Sequence, residues 1–300
     1  MLDIKVTDVR ILPGDSGFLI DDGKTSILFD TSFAFNGYQM AEKVKNLLGE
    51  RRLDYIFLSH SHYDHVVGAP YVLKYYPEAT VVAGEYAAKI FAKPTARAIM
   101  RDLDRKYAET CGVTEYEDLI DELKVDITVN DGDTIKCGDM TFTVVSLPGH
   151  TKDSIAFYLQ ENKFLLGSET LGVYFGEGTY LPFFLVGYQM SLDSFEKVKV
   201  MDIDSMLLPH YGVADKERTE RFLRKAEESF RDTAEKIVAI FKNGGTVEDG
   251  IEYYKERFYK DNVKPTYPVN AFRLNTSIMV ELIKKELVDE TVGSGEFAGK

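Results

Sequence analysis

An α/β body reaching to about residue 213, followed by a helical C-terminal section, is the fold class this sequence predicts. Two observations predict it. Up to Tyr211-Gly212, short β-rich runs alternate with stretches of helical periodicity; beyond it, strand signals vanish and apolar residues recur every three or four positions. A third observation sets the scale. A chain of 300 residues, 44% hydrophobic and 28% charged, has globular composition and enough length for one large domain with an appendage.

The elements follow in order. Residues 4–11 and 17–20 read as strands, and Asp21-Asp22-Gly23-Lys24 turns the chain into a third at 25–30. Residues 38–48 have a helical period that Gly49 stops. An apolar strand at 54–59 runs into a histidine cluster, and a helix near 67–76 and a strand at 80–83 come next. Residues 85–123 lack strand signals and read as a helical insertion, interrupted at Pro94. Within it, Thr114 to Glu117 has the pattern of a capping box opening another helix. Strands resume at 125–129, 134–136 and 140–147, then at 154–160 and 163–167 with a turn at Glu161-Asn162. A helix near 192–201 and a strand at 204–208 close the body.

In the C-terminal section Phe222, Ala226, Phe230, Ala234, Ile237 and Phe241 mark an amphipathic helix. Thr246 caps a second carrying Ile251, Tyr254 and Phe258, and a third is expected at 270–287. The resulting division is a domain over 1–213, a helical section over 214–290 and a mobile tail over 291–300.

Charge and composition exclude several functions. With 36 Lys+Arg against 49 Asp+Glu the net charge is −13, which disfavours nucleic acid as a partner. No apolar run is long enough to span a bilayer, and the start MLDIKVTDVR lacks the pattern of a secretory signal. Two cysteines, Cys111 and Cys137, cannot build a disulfide scaffold. The expectation is a cytoplasmic protein acting on a small molecule away from membranes and nucleic acid, with a homodimer open as its assembly.

The five histidines carry the functional argument. His60, His62 and His65 share the run His60-Ser61-His62-Tyr63-Asp64-His65, His150 lies in Pro148-Gly149-His150, and His210 in Pro209-His210-Tyr211. Each group directly follows a strand, which is where α/β proteins keep their sites. Neutral imidazole suits transition metals, and a carboxylate adds a hard anionic ligand. His60 and His62 can point toward one ion, Asp64 and His65 toward a second, and His150 and His210 bring ligands from distant loops.

On these residues, roughly 4–213 of the chain resembles the metallo-β-lactamase superfamily. Asp30, the His60–His65 run, His150, the Gly167-Ser168-Glu169 step and His210 stand in the family's motif order. The resemblance implies a four-layer αββα sandwich with a helical insertion and C-terminal helices. It implies two divalent ions, zinc first, with iron or manganese as alternatives. One ion would be held by His60, His62 and His150, and the other by Asp64, His65 and His210. Glu169 would take the bridging position where the family usually has Asp. Asp30 would orient a ligand histidine, and Asp64 would also serve catalysis.

The implied chemistry is attack by an activated water on an electrophilic carbonyl or phosphorus. The diiron oxygen and nitric oxide reductases of the family usually have Glu where this chain has His62. The helical C-terminal section is similar to that of thioesterase-type members, so an acyl thioester or ester is the first expectation. The cations of its first helix, such as Arg218, Arg221 and Arg224, read as a solvated face. Lactone or phosphodiester hydrolysis is one alternative, and a metal-binding regulatory protein with little turnover is another. After Glu169 come Tyr174, Phe175, Tyr180, Phe183 and Phe184, and Tyr211 adjoins His210. These six aromatics read either as a rim for an apolar acyl group or as packing.

Overall fold

Alternation along four short strands builds two cores at once. The computed structural model describes residues 1–176 and 178–289; the expected tail over 291–300 lies outside them. The first of two units comprises residues 1–146, 153–167 and 203–214. Its first sheet runs in the order β1 (Lys5–Asp8), β2 (Phe18–Asp21), β3 (Ser26–Phe29), β4 (Tyr55–Leu58), β5 (Thr80–Gly84), β6 (Ile127–Val129). The pairs from β1 to β3 are antiparallel, and those from β3 to β6 are parallel. Phe18, Ile20, Ile27, Phe29, Phe57 and Val82 belong to one core, while Leu19, Leu28, Ile56, Leu58, Val81 and Ala83 belong to another. Period-2 side chains with both faces buried give near-continuous apolar runs rather than polar alternation.

The core holding Phe18 and Phe57 lies against a second sheet. That sheet is built from β7 (Thr134–Cys137), β8 (Met140–Ser146), β9 (Ile155–Leu159) and β10 (Phe164–Leu166). It is completed by β13 (Ser205–Leu208) and β14 (Gly212–Ala214), in the order β14-β13-β10-β9-β8-β7. The hairpin β11 (Val173–Tyr174) and β12 (Tyr180–Leu181) stands apart from both sheets. Phe57 stacks on Phe157 at 4.4 Å and meets Phe142 edge-on at 5.3 Å. The other core is covered by α1 (Gly37–Leu48), α2 (Tyr63–Val66), α3 (Ala69–Tyr75), α4 (Glu85–Phe91) and α5 (Pro94–Thr110). Pro94 starts α5 rather than interrupting it: proline at the first helical position lacks only an N–H that would have no helical partner.

The capping box expected at Thr114 does not form a helix. Residues 113–119 are irregular, followed by a single 3-10 turn at Ile120–Glu122. Tertiary bonds override the local signal. The Tyr38 hydroxyl donates to the Glu117 carboxylate at 2.5 Å, Tyr71 donates to the Glu117 carbonyl, and Arg101 and Arg105 hold Asp118.

Asp104, on α5, is fully buried, and burial pushes its carboxyl up to about 6. Its oxygens accept the Ala34 amide at 2.8 Å and the Tyr116 hydroxyl at 2.5 Å. A carboxyl raised by folding stays protonated in the native state after the unfolded chain has ionised. Stability therefore falls as pH rises from about 4 to about 6, and is flat above. Two pH units correspond to about 3 kcal/mol. Asp104→Asn is expected to remove that slope, read as the difference between the two proteins' urea unfolding curves at pH 4 and pH 7. Parallel pH profiles would refute it.

The second unit comprises, of the described residues, 147–152, 168–176, 178–202 and 215–289. It holds the β11–β12 hairpin, α6 (Tyr188–Lys199), α7 (Lys216–Lys242), α8 (Val247–Phe258), α9 (Val263–Thr266) and α10 (Val269–Ile283). Asp215 caps α7, and a full capping box between Thr246 and Asp249 starts α8. The predicted stripe of α7 is buried from Phe222 to Ile237. Phe230 is its centre, with Phe184 at 5.4 Å and Phe195 at 5.1 Å. Among the described residues no helix is long and apolar enough to cross a membrane.

Candidate metal centre

Two strand ends of the first unit carry five of the seven candidate ligands, and a third carries Asp30. Asp30 ends β3 and His60 follows β4, so parallel pairing of these two strands sets them side by side. His62 is the N-cap of the short helix α2, and Asp64 and His65 lie within it. His210 follows β13 in a left-handed conformation, with φ +61°. The ring centroids of His60 lie 4.7 Å from His62 and 4.1 Å from His65, and those of His65 and His210 are 5.0 Å apart. The donor atoms of Asp64, His65 and His210 come within 4.8 Å of one another, as do those of His60 and His62. His60 and His65 are buried, whereas His62, Asp64 and His210 are half-buried.

In the second unit, His150 and Glu169 meet directly, with Nε2 and Oε2 2.8 Å apart. Two turns create that meeting. Gly149 is at φ +144°, and a Cβ there would sit 2.1 Å from the Ser191 hydroxyl and 2.8 Å from its Cα. Only glycine fits that approach. Ser168 caps the 3-10 turn Glu169–Leu171 by accepting from the Thr170 amide. The Thr170 hydroxyl donates to the Leu147 carbonyl at 2.6 Å and accepts from the His150 amide at 3.2 Å, tying the two turns together.

Four of the five imidazoles have Nδ1 already engaged. His65 Nδ1 donates to Asp30 Oδ2 at 2.7 Å, and His60 Nδ1 shares a hydrogen bond with the Ser59 hydroxyl at 3.0 Å. His150 Nδ1 donates to the Phe183 carbonyl at 2.7 Å, and His210 Nδ1 to the Gly14 and Asp15 carbonyls at 2.8 and 3.1 Å. Carbonyls and a carboxylate accept only, so His65, His150 and His210 carry a proton on Nδ1, and Nε2 is the nitrogen each would offer to an ion. Asp30 is fully buried and collects further bonds from the Ser16 hydroxyl and from the Ser59 amide and hydroxyl.

Among the described residues of the first unit, Asp64, His65 and His210 bring together donors able to hold a metal ion, as do His60 and His62, and in the second unit His150 and Glu169 do so. Imidazole nitrogen with carboxylate oxygen is a donor set that fits a divalent transition ion.

The six aromatics do not share one fate. Phe183 and Phe184 are fully buried, which corrects their reading as substrate contacts. Phe183 stacks on Tyr267 at 5.5 Å, and Phe184 meets Tyr188 at 5.3 Å as well as Phe230, so neither ring has a free face. Tyr174, Phe175 and Tyr180 are half-buried, and Tyr211 is exposed. Sequence reasoning missed Ser59, the Phe183 carbonyl and the loop carrying Gly14. A backbone acceptor has no side-chain signature, so no local signal announced the last two.

The metallo-beta-lactamase superfamily model matches residues 12–210. A hydroxyacylglutathione hydrolase of Rhodopseudomonas palustris is 25% identical over 182 residues, 58% of this chain and 57% of that protein. One from Methylobacterium nodulans is 28% identical over 120 residues, 40% of this chain and 34% of that protein. The chain therefore spans between a third and a little over half of these relatives' lengths. Among solved structures, a metallo-beta-lactamase family protein of Thermus thermophilus superposes with a TM-score of 0.63 at 19% identity. It covers 95% of this chain and 94% of its own, a likeness of fold.

Proposed function

This chain belongs to the metallo-β-lactamase superfamily, and from that premise we propose that it hydrolyses an acyl thioester at a centre of two divalent ions. In this reading His60, His62 and His150 hold one ion, Asp64, His65 and His210 hold the other, and Glu169 is the carboxylate they share. The observation that carries it is the gathering of the Asp64, His65 and His210 donor atoms within 4.8 Å of one another at the strand ends of the first unit. The thioester is supported by the relatives named hydroxyacylglutathione hydrolase. Zinc is the ion to test first, with manganese and iron(II) after it.

Divalent ions held by these donors would acidify a water and polarise the substrate carbonyl. The chain's own residues do the rest. Hydrogen bonds at Nδ1 fix His65, His150 and His210, so these rings do not have to reorient as charge develops. The Asp64 carboxylate, 3.5 Å from His65 Nε2 and partly open to solvent, accepts the proton of the attacking water. It then returns that proton toward the departing sulfur. Tyr174, Phe175, Tyr180 and Tyr211 retain exposed surface to contact the acyl group.

The test is thiol release from acyl-CoA and glutathione thioesters by protein loaded separately with zinc, manganese or iron(II), with His62→Ala as the blank. Metal-dependent release in wild type and none in the blank is expected. No release by any form that elemental analysis shows to be fully loaded would overturn the thioester and direct the search to lactones and phosphodiesters.

A further inference from the structure

The loop between β1 and β2, residues 9–17, has no part in the chemistry above, yet it grips His210 from two sides. From one side Gly14 and Asp15 offer their carbonyls to His210 Nδ1. From the other, Arg10 Nη1 donates to the His210 carbonyl, and Arg10 Nη2 donates to the Tyr211 carbonyl at 3.3 Å. His210 needs such a grip. Its φ of +61° lies in the left-handed region, which side chains other than glycine seldom adopt unless held.

Arg10 is itself fixed. Asp8 takes Nε and Nη2 as a fork, at 2.9 and 2.6 Å, and the Phe18 ring lies 5.2 Å beneath the guanidinium. Lys43 donates to the Arg10 carbonyl at 2.7 Å. Asp15 shapes the opposite end. Its side chain is fully buried, and Oδ2 accepts the Ile11 amide at 2.9 Å, the Leu12 amide at 3.0 Å and Asn36 Nδ2 at 3.1 Å. Those bonds curl the loop so that Gly14, at φ +86°, turns its carbonyl toward the imidazole.

We propose that Arg10 and Asp15 are positioning residues for His210. Arg10 holds the left-handed peptide, and Asp15 holds the loop whose carbonyls keep the proton on Nδ1, so that Nε2 faces the ion shared with Asp64 and His65. The inference rests on the metal-centre reading above. It predicts an effect confined to one ion of the two, because every group it names lies on the His210 side.

The experiment uses the full chain and the variants Arg10→Ala, Arg10→Lys and Asp15→Ala, with His210→Ala as the benchmark. Zinc affinity for each of the two ions is measured by competition with a chromophoric chelator. The tautomer of His210 is read in metal-free protein from long-range ¹H–¹⁵N correlations. Expected is a loss of about 10–100-fold in Arg10→Ala and Asp15→Ala in affinity for the ion that His210→Ala loses, the usual range for partners behind a ligand, with the other ion unaffected. Arg10→Lys falls between, because an ammonium cannot fork to both Asp8 and the two carbonyls. Wild-type His210 is expected as the Nδ1–H tautomer, mixed with Nε2–H in the two alanine variants.

An Nε2–H wild type overturns the proposal, whatever the metal data. So does wild-type affinity for both ions in Arg10→Ala and Asp15→Ala. Equal loss of both ions together with a lowered melting temperature also overturns it, since that is general loosening. If wild type takes up no ion, the tautomers decide alone. Failure of thioester turnover with the one-ion effect intact would overturn the proposed function and leave this inference standing.

Discussion

Asp64→Asn is expected to lower thioester turnover by about 10²–10⁴-fold while the melting temperature stays at the wild-type value, the range that positioned acid–base groups supply. Asparagine keeps the shape and one oxygen of the side chain and loses the ability to take a proton. The fold has little stake in that change. Asp64 is the second residue of α2, only partly covered, and its carboxylate approaches His65 Nε2 at 3.5 Å. The variant should be examined at saturating metal and substrate, so that the loss is seen in kcat. A wild-type kcat with both ions bound would remove Asp64 from proton transfer. A loss cured wholly by excess metal would reduce its role to ligation.

Gly68→Ala is expected to cost about 3 kcal/mol of stability and to weaken metal binding, although residue 68 touches no ion. A Cβ at 68 would stand 1.9 Å from the Thr31 carbonyl oxygen and 3.2 Å from that of Phe33. These are backbone atoms and cannot swing aside. Thr31 sits between Asp30 and Ser32, at φ +57° and +59°, and its amide and hydroxyl both donate to the His65 carbonyl, at 2.7 and 3.1 Å. Pushing Thr31 therefore moves Asp30 and His65 together. Gly112→Ala is the control. It is at φ +79° with open space around it, so only the cost of left-handed backbone remains, about 1–2 kcal/mol, with metal binding intact. Urea unfolding and chelator competition read both effects. Gly68→Ala at or below the cost of Gly112→Ala would show that the crossing of these two turns relaxes freely.

The clustering of the histidine run at a strand end was legible in the sequence because its signal is local. An apolar strand followed at once by His-x-His-x-Asp-His puts the run at a strand end whatever the rest of the chain does. Likewise, the α7 stripe from Phe222 to Ile237 reads directly as a buried helix face. The Thr114 box misled because a cap is worth only about 1 kcal/mol and bonds from Tyr38, Tyr71 and Arg101 outweigh it.

By itself, then, the sequence determined the strand ends that carry the histidines and the α/β body with its helical sequel. Only the tertiary structure decided which groups meet the Nδ1 atoms of His65, His150 and His210 and which aromatics are exposed. Asp30 lies 35 residues from His65, the Phe183 carbonyl 33 residues from His150, and the Gly14 carbonyl 196 residues from His210. The physical reason is that side-chain chemistry is written residue by residue. A carbonyl is common to every residue, and its role is set by where the folded chain delivers it. The same holds for Phe183 and Phe184, which match Tyr180 as aromatic letters and differ from it through the rings of α6, α7 and α10 that close over them.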